Sequence, residues 1–231
     1  MSMILTYAIP DLHGRFDLLD QALSLILEHA GGQDARVVTL GDYVDRGPNS
    51  REVIEFLMDW PFPSLHLVAL KGNHEAMMWE ACNNLVETEY WLANGGAATL
   101  ASYGEFRAGD SIRSLIPEQH LQWISELPSI HADTHRVFVH AGVDPRVPLN
   151  QQREQTLLWK RYPRGFSSGH GRRHVVHGHH ADERGPVVSK GKTNLDTMAW
   201  RTGRLVVGIF RDDALGGGVE FLEVRGTPHA E

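Results

Sequence analysis

The sequence predicts an α/β fold in which two sheets are flanked by helices, and three observations carry that prediction. Short apolar, β-branched runs alternate with stretches of helical periodicity early in the chain, as βαβ units around a largely parallel sheet do. These runs stop abruptly at glycine and polar residues, as Val37-Val38-Thr39-Leu40 does at Gly41-Asp42. Buried parallel strands read this way, and open α/β sheets keep their sites at such C-terminal ends. The last third shows short strand-like runs with glycine turns, which suits a second sheet.

Taken in order, residues 4 to 9 are apolar and bounded by Pro10, a first strand. From Phe16 to His29, Leu18, Leu19, Ala22, Leu23, Leu25, Ile26 and Leu27 fall at helix-face spacing, and Gly31-Gly32 end it. Arg36 to Leu40 is the second strand. Asn49-Ser50 caps a helix through Ile54, Leu57 and Met58 that Pro61 and Pro63 stop. Leu65 to Leu70 is the third strand, and Glu75 opens a helix containing Met77, Met78 and Trp79. Residues of about 84–130 are helix-prone but broken by Gly95-Gly96, Gly104, Gly109 and Pro117, a helical insertion beside the sheet within a single domain spanning 1–231. Arg136 to Val139 resumes the strand pattern, and 145 to 171 is mostly loop with a helical stretch from Gln151 to Trp159. His174 to Val176, Val187-Val188, Thr193 to Leu195, Leu205 to Phe210 and 219 to 224 read as further short strands, those after His180 antiparallel.

Composition narrows function. In 231 residues, 42% hydrophobic content allows a sizeable core, and a net charge of -7 argues against nucleic acid, which is bound largely through Lys and Arg on phosphates. Cys82 is the single cysteine, so no intramolecular disulfide forms. No basic leader or membrane-length apolar run is present, which points to a cytoplasmic protein without a membrane partner; its oligomeric state is left open, with a monomer favoured. The 14 histidines favour metal binding without locating it.

Location comes from the strand ends. Asp11, His13, Asp42, Asn73, His140 and His179 all sit at or just past one. Carboxylate, amide and imidazole together suit first-row ions such as manganese, iron or zinc. A carboxylate shared by two ions holds them about 3.5–4 Å apart and lets them acidify a water. Singly, Asp11 or Asn73 reads as a helix cap, and Arg46 with Asp45 as a surface pair. Glu75 reads as a structural carboxylate favoured by the helix dipole.

The ordered segments Asp11-Leu12-His13-Gly14, Gly41-Asp42-Tyr43-Val44-Asp45-Arg46-Gly47 and Gly72-Asn73-His74-Glu75 resemble the signatures of the phosphoprotein phosphatases, calcineurin-like metallophosphoesterases. His140-Ala141-Gly142 and Gly178-His179 fit the remaining metal-histidine motifs. Trp91 to Gly96 and Leu158 to Arg161 resemble segments of compact bacterial and phage serine/threonine phosphatases, so the likeness runs from about residue 4 to 210. It implies a four-layer αββα sandwich of two mixed sheets. It also implies two divalent cations, manganese first and iron or zinc as alternatives. Asp11 and His13 would hold the first, Asp42 would bridge, and Asn73, His140 and His179 would hold the second. Arg46 and Arg161 would bind phosphoryl oxygens. His74, oriented by Asp45, would protonate the leaving alkoxide during in-line attack by a metal-bridging hydroxide.

Three departures stand out: Pro10 and Met198 where relatives often carry glycine, and Lys71 for a common arginine. His177 and His180 read as neighbours of His179. His29, His66, His120, His131, His135, His170, His174 and His229 read as solvated, and Trp79, Trp91, Trp123 and Trp200 as core. Arg164, Arg172 and Arg173 form a basic loop, either solvated or a docking surface for an anion. Three functions compete: hydrolysis of phosphoserine, phosphothreonine or phosphotyrosine in a phosphoprotein or small phosphoester, hydrolysis of symmetrical dinucleoside tetraphosphates, and a non-catalytic metal-binding scaffold. The tetraphosphate hydrolases typically carry Ala where Asp45 stands and Asp where Glu75 stands, which favours the first.

Overall fold

The alternation of side chains along the strands decides which core each one enters. The structure, a computed structural model, describes residues 5–83, 85–105, 111–217 and 220–228. The chain begins β1 (Leu5–Ile9), α1 (Phe16–Ala30), β2 (Ala35–Thr39), α2 (Ser50–Met58), β3 (Leu65–Ala69), α3 (Asn73–Asn83). The helix-prone stretch follows as α4 (Leu85–Trp91), a π-helical turn (Leu92–Gly96), α5 (Ala97–Tyr103), α6 (Ile112–Leu115) and α7 (Glu118–Glu126). Next come β4 (Ile130–Ala132), β5 (Arg136–Val139), a 3-10 turn (Leu149–Gln151), α8 (Glu154–Trp159) and β6 (His174–His177). The chain closes with β7 (Val187–Val188), β8 (Lys192–Asn194), α9 (Ala199–Thr202), β9 (Arg204–Arg211) and β10 (Glu220–Arg225).

One sheet has the order β10-β9-β1-β2-β3 and the other β4-β5-β6-β8-β7. Strands β1, β2 and β3 are parallel, with β9 antiparallel to β1. Ala8, Val38, Phe138, Val176 and Phe210 point between the sheets and form the inner core. Their neighbours Tyr7, Ile9 and Val37 point the other way, into a larger core with α1, α2, α3 and the inserted helices. On the far side, Val137, Val139 and Val175 are covered by Leu157 of α8 and Val143. The layers are therefore αββα, with a short fourth layer. Each Leu, Ile or Phe so buried contributes about 1.5–3 kcal/mol.

Local chemistry explains most boundaries. Gly31 ends α1 in the left-handed conformation, its N–H bonding back to Leu27 and Glu28. Asn49 takes the N-cap position of α2, yet its amide reaches Glu52 and not the backbone. Gly95 opens the insertion's kink at φ 109°, where a side chain would strike Arg46. The expected break at Gly109, the start of the first strand at Ile4, Val219 and His229 lie outside the described residues.

Several expectations are corrected. Strand β8 pairs antiparallel with β7 as expected but parallel with β6 on its other side, because the 178–191 connection is long enough for a crossover. Helix α9 and strand β4 are additional elements too short to show a period. Among the histidines read as solvated, His120 and His174 are buried, bonded to Tyr103 and Thr193, and His131 is half-buried against Phe138. Trp79 is exposed rather than core, and Trp200 is half-buried. No helix among the described residues is long and apolar enough to cross a membrane.

Candidate active site

Register turns sequence spacing into geometry. Ile9, Thr39 and Ala69 end level with one another, so the turns after β1, β2 and β3 share one edge. The second sheet meets that edge, since His140 Nδ1 donates to the Leu40 carbonyl at 2.9 Å and the His179 N–H to Asp11 Oδ1 at 3.1 Å. The first two turns are zipped together. Leu12 and His13 N–H donate to Asp42 C=O at 3.0 and 2.8 Å, and Gly14 N–H to Tyr43 C=O at 2.8 Å. Glu75 then accepts from the N–H groups of Asp42, Tyr43, Val44 and Gly72 at 2.7–3.3 Å, which ties the third turn to the second. Its structural role thus comes from bonds across the edge more than from the helix dipole. His13, Asp42, Asp45, Arg46 and His179 have φ between 46° and 74°. Such backbone costs about 1–2 kcal/mol per residue and persists where surrounding bonds over-determine it.

Asp42 stands between two imidazoles, its Oδ2 3.5 Å from His13 Nε2 and its Oδ1 3.5 Å from His140 Nε2. Both rings are aimed by carbonyls: His13 Nδ1 donates to Val44 at 2.8 Å and His140 Nδ1 to Leu40 at 2.9 Å. That tautomer leaves a lone pair on each Nε2. Asn73 Oδ1 at 2.7 Å and His179 Nδ1 at 3.2 Å crowd the same His140 nitrogen, which has no proton to give. Asp11 completes the set, accepting the His179 N–H at 3.1 Å. A Cβ on Gly178 would run into that carboxylate. Asp11, His13, Asp42, Asn73 and His179 line one cavity of about 680 Å³, with His140 buried behind them.

His74 and Arg46 enter the same cavity. His74 Nδ1 is 2.6 Å from Asp45 Oδ2. The buried Asp45 carboxylate also accepts Trp91 Nε1 at 2.9 Å and Thr99 Oγ1 at 2.7 Å. Arg46 donates to His13 Nε2 at 2.8 Å and His74 Nε2 at 3.0 Å, its guanidinium 5.3 Å from the Trp200 ring centre. Buried Arg15 fixes that wall by donating to the carbonyls of Ala199 and Trp200. Exposed Arg161 also lines the cavity. His177 is buried beside the edge and His180 donates to the Lys160 carbonyl. Of the basic loop, Arg173 is tied to the Asp133 carbonyl, while Arg164 and Arg172 are exposed.

Electrostatics show what this pocket fits. Burial raises the Asp11 and Asp42 carboxyls well above the usual range, helped by repulsion from Asp196 and from Asp11 respectively. Burial also holds His13 well below its usual value and pushes His140 and His179 down to about 3 and about 2. Acidic oxygens short of counter-charge beside neutral imidazole lone pairs are a divalent-cation donor set. Among the described residues, two groups have donor atoms within 4.8 Å of one another: His13, Asp42 and His74, and Asp42, His140 and His179. The first contains His74 where Asp11 was anticipated. Sequence reasoning missed Asp196, a buried carboxylate on the cavity wall, and the Trp91 and Thr99 bonds to Asp45. The end of a strand-like run at Leu195 was the available signal for Asp196.

This fold and edge define a class. The calcineurin-like phosphoesterase model matches residues 5–211, and the chain belongs to that family, whose members use divalent metals. Among curated proteins it is 31% identical over 159 residues to serine/threonine-protein phosphatase 1 of Salmonella typhimurium, covering 67% of this chain and 68% of that one. It is 30% identical over 176 residues to the symmetrical bis(5'-nucleosyl)-tetraphosphatase of Neisseria gonorrhoeae, covering 71% of this chain and 55% of that one. The match spans about half the length of several other relatives, as with the 51% of serine/threonine-protein phosphatase 2 of Escherichia coli. In fold it is similar to a putative diadenosine tetraphosphatase, with TM-score 0.66 and 20% identity, covering 96% of this chain and 94% of that one.

Proposed function

We propose that this chain is a metal-dependent phosphomonoesterase that hydrolyses phosphoserine and phosphothreonine, extending to phosphotyrosine. The observation that carries the reading is the His74–Asp45 pair at 2.6 Å, facing the cavity beside Arg46. Asp11, His13, Asp42, Asn73, His140 and His179 would hold two divalent cations, with manganese the first choice. When bound, these supply charge neutralisation and an acidified water for attack on phosphorus.

The chain's own groups have distinct tasks. Arg46 would turn its fork from the two imidazoles to the phosphoryl oxygens, joined by Arg161. Both guanidiniums would then stabilise charge that grows on the equatorial oxygens. Asp45 would hold His74 Nδ1–H so that Nε2 faces the departing oxygen. Burial drives both partners toward neutrality, raising Asp45 to about 7 and lowering His74 well below its usual value. A phosphate dianion in the cavity would raise the proton affinity of His74 and let Nε2 deliver a proton to the leaving alkoxide. Trp91 and Thr99 support the carboxylate that does the orienting.

The rival is symmetrical dinucleoside tetraphosphate hydrolysis, which shares the metal donors. An orienting Asp45 favours an alkoxide leaving group, since a polyphosphate leaves readily without an acid. We expect kcat/KM on a phosphothreonine peptide to exceed that on diadenosine tetraphosphate by at least about tenfold with manganese present. Faster turnover of the tetraphosphate would replace the proposed substrate class with the rival.

A further inference from the structure

A second hollow, of about 290 Å³, adjoins the candidate active site through Arg161 and Ala181, which line both. Its wall is Tyr162, His180, Asp182, Lys192 and Asn194. Most polar groups there are already engaged. His180 Nε2 donates to the Lys160 carbonyl at 2.8 Å, and Asn194 Nδ2 to the His180 carbonyl at 2.6 Å. The Tyr162 hydroxyl accepts the Val143 N–H at 2.9 Å. Asp182 accepts the Arg184 N–H at 3.0 Å within its own turn.

Two cations are different. Lys192 is only 9% exposed, yet among the described residues its ammonium meets no carboxylate, lying 5.0 Å from the Tyr162 ring centre. Arg161, at the junction of the hollows, forms no close ion pair among the described residues, although its charge acts on the Asp196 carboxyl. A buried ammonium held by an aromatic face alone is costly, and burial lowers its pKa accordingly. An arriving oxyanion would remove that cost. Lys160, 5.5 Å from the same ring centre, adds to the positive field.

We infer that this hollow is a second oxyanion subsite, in which Lys192 receives a phosphoryl or carboxylate group carried by the substrate beside the scissile phosphate. The inference rests on the proposed phosphoesterase reading and extends it to substrates with two anionic groups. The second anion comes either from an acidic residue flanking the phosphoresidue or from the next phosphoryl of a polyphosphate. Arg161 spans both positions, whereas Lys192 serves only the second.

The test compares the metal-loaded wild type with Lys192→Met, which keeps the apolar stem, and Lys192→Arg, which keeps the charge. Substrates are p-nitrophenyl phosphate and phosphoserine peptides flanked by aspartate or by asparagine; calorimetry compares pyrophosphate with orthophosphate. The wild type is expected to favour at least one doubly anionic ligand by about tenfold over its singly anionic counterpart. Lys192→Met should erase that advantage while leaving p-nitrophenyl phosphate turnover within about twofold, and Lys192→Arg should retain it. An advantage confined to the peptide or to pyrophosphate identifies the source of the anion, and either supports the subsite. Equal preference in the wild type, or an undiminished preference in Lys192→Met, overturns it. Should no phosphoester be hydrolysed by the wild type, the proposed activity fails, while calorimetry still decides the subsite.

Discussion

His74 is asked to hold a proton that its surroundings oppose. It is buried, and Arg46 lies 3.0 Å from its outer nitrogen. Replacing it with asparagine removes proton delivery but leaves Asp11, His140 and His179 untouched. His74→Asn is therefore expected to slow a phosphopeptide by about 10²–10⁴-fold, and an aryl phosphate, whose leaving group needs less help, much less. Steady-state kinetics on both substrates check this, and an undiminished phosphopeptide rate would remove His74 from that role. Met198 raises a different issue at the same scale. Its φ of 54° is left-handed, a conformation that glycine adopts without the steric cost methionine bears. Met198→Gly should leave urea stability unchanged or slightly raised, whereas the β-branched Met198→Val should lose about 1–2 kcal/mol. Pro10, by contrast, leaves Asp11 on the cavity wall.

At the scale of elements, the site depends on turns that no single strand or helix could hold. Glu75, at the start of α3, fastens the β2 and β3 turns through N–H groups of Asp42, Tyr43, Val44 and Gly72. Glu75→Gln turns an amide N–H₂ toward these donors, so unfolding in urea should show a loss of about 1.5–3 kcal/mol. A wild-type midpoint would mean that the turns hold themselves. These elements also show what a sequence can carry. That residues 11, 13, 42, 73, 140 and 179 gather at one edge was legible because each follows its own strand within a few residues, and a strand end is a local signal. The bonds of Trp91 and Thr99 to Asp45 were not, since they exist only once α4 and α5 pack against a distant turn. The parallel pairing of β8 with β6 was hidden for the same reason, because local composition does not say which neighbour a strand will choose.

Across the whole molecule, two sheets pack through Ala8, Val38, Phe138, Val176 and Phe210 and bring their parallel strand ends to one edge. Neither sheet alone holds the proposed donor set: Asp11, His13, Asp42 and Asn73 come from one, and His140 and His179 from the other. Asp42 lies at their junction, 3.5 Å from a histidine of each. The most direct measurement is equilibrium dialysis of wild type and Asp42→Asn against manganese, with metal counted per folded chain. We predict about two ions in the wild type and loss of at least one in Asp42→Asn, with turnover abolished. A wild type that binds no manganese, iron or zinc, or an Asp42→Asn protein that keeps both ions and full turnover, would contradict a dinuclear centre bridged by that carboxylate.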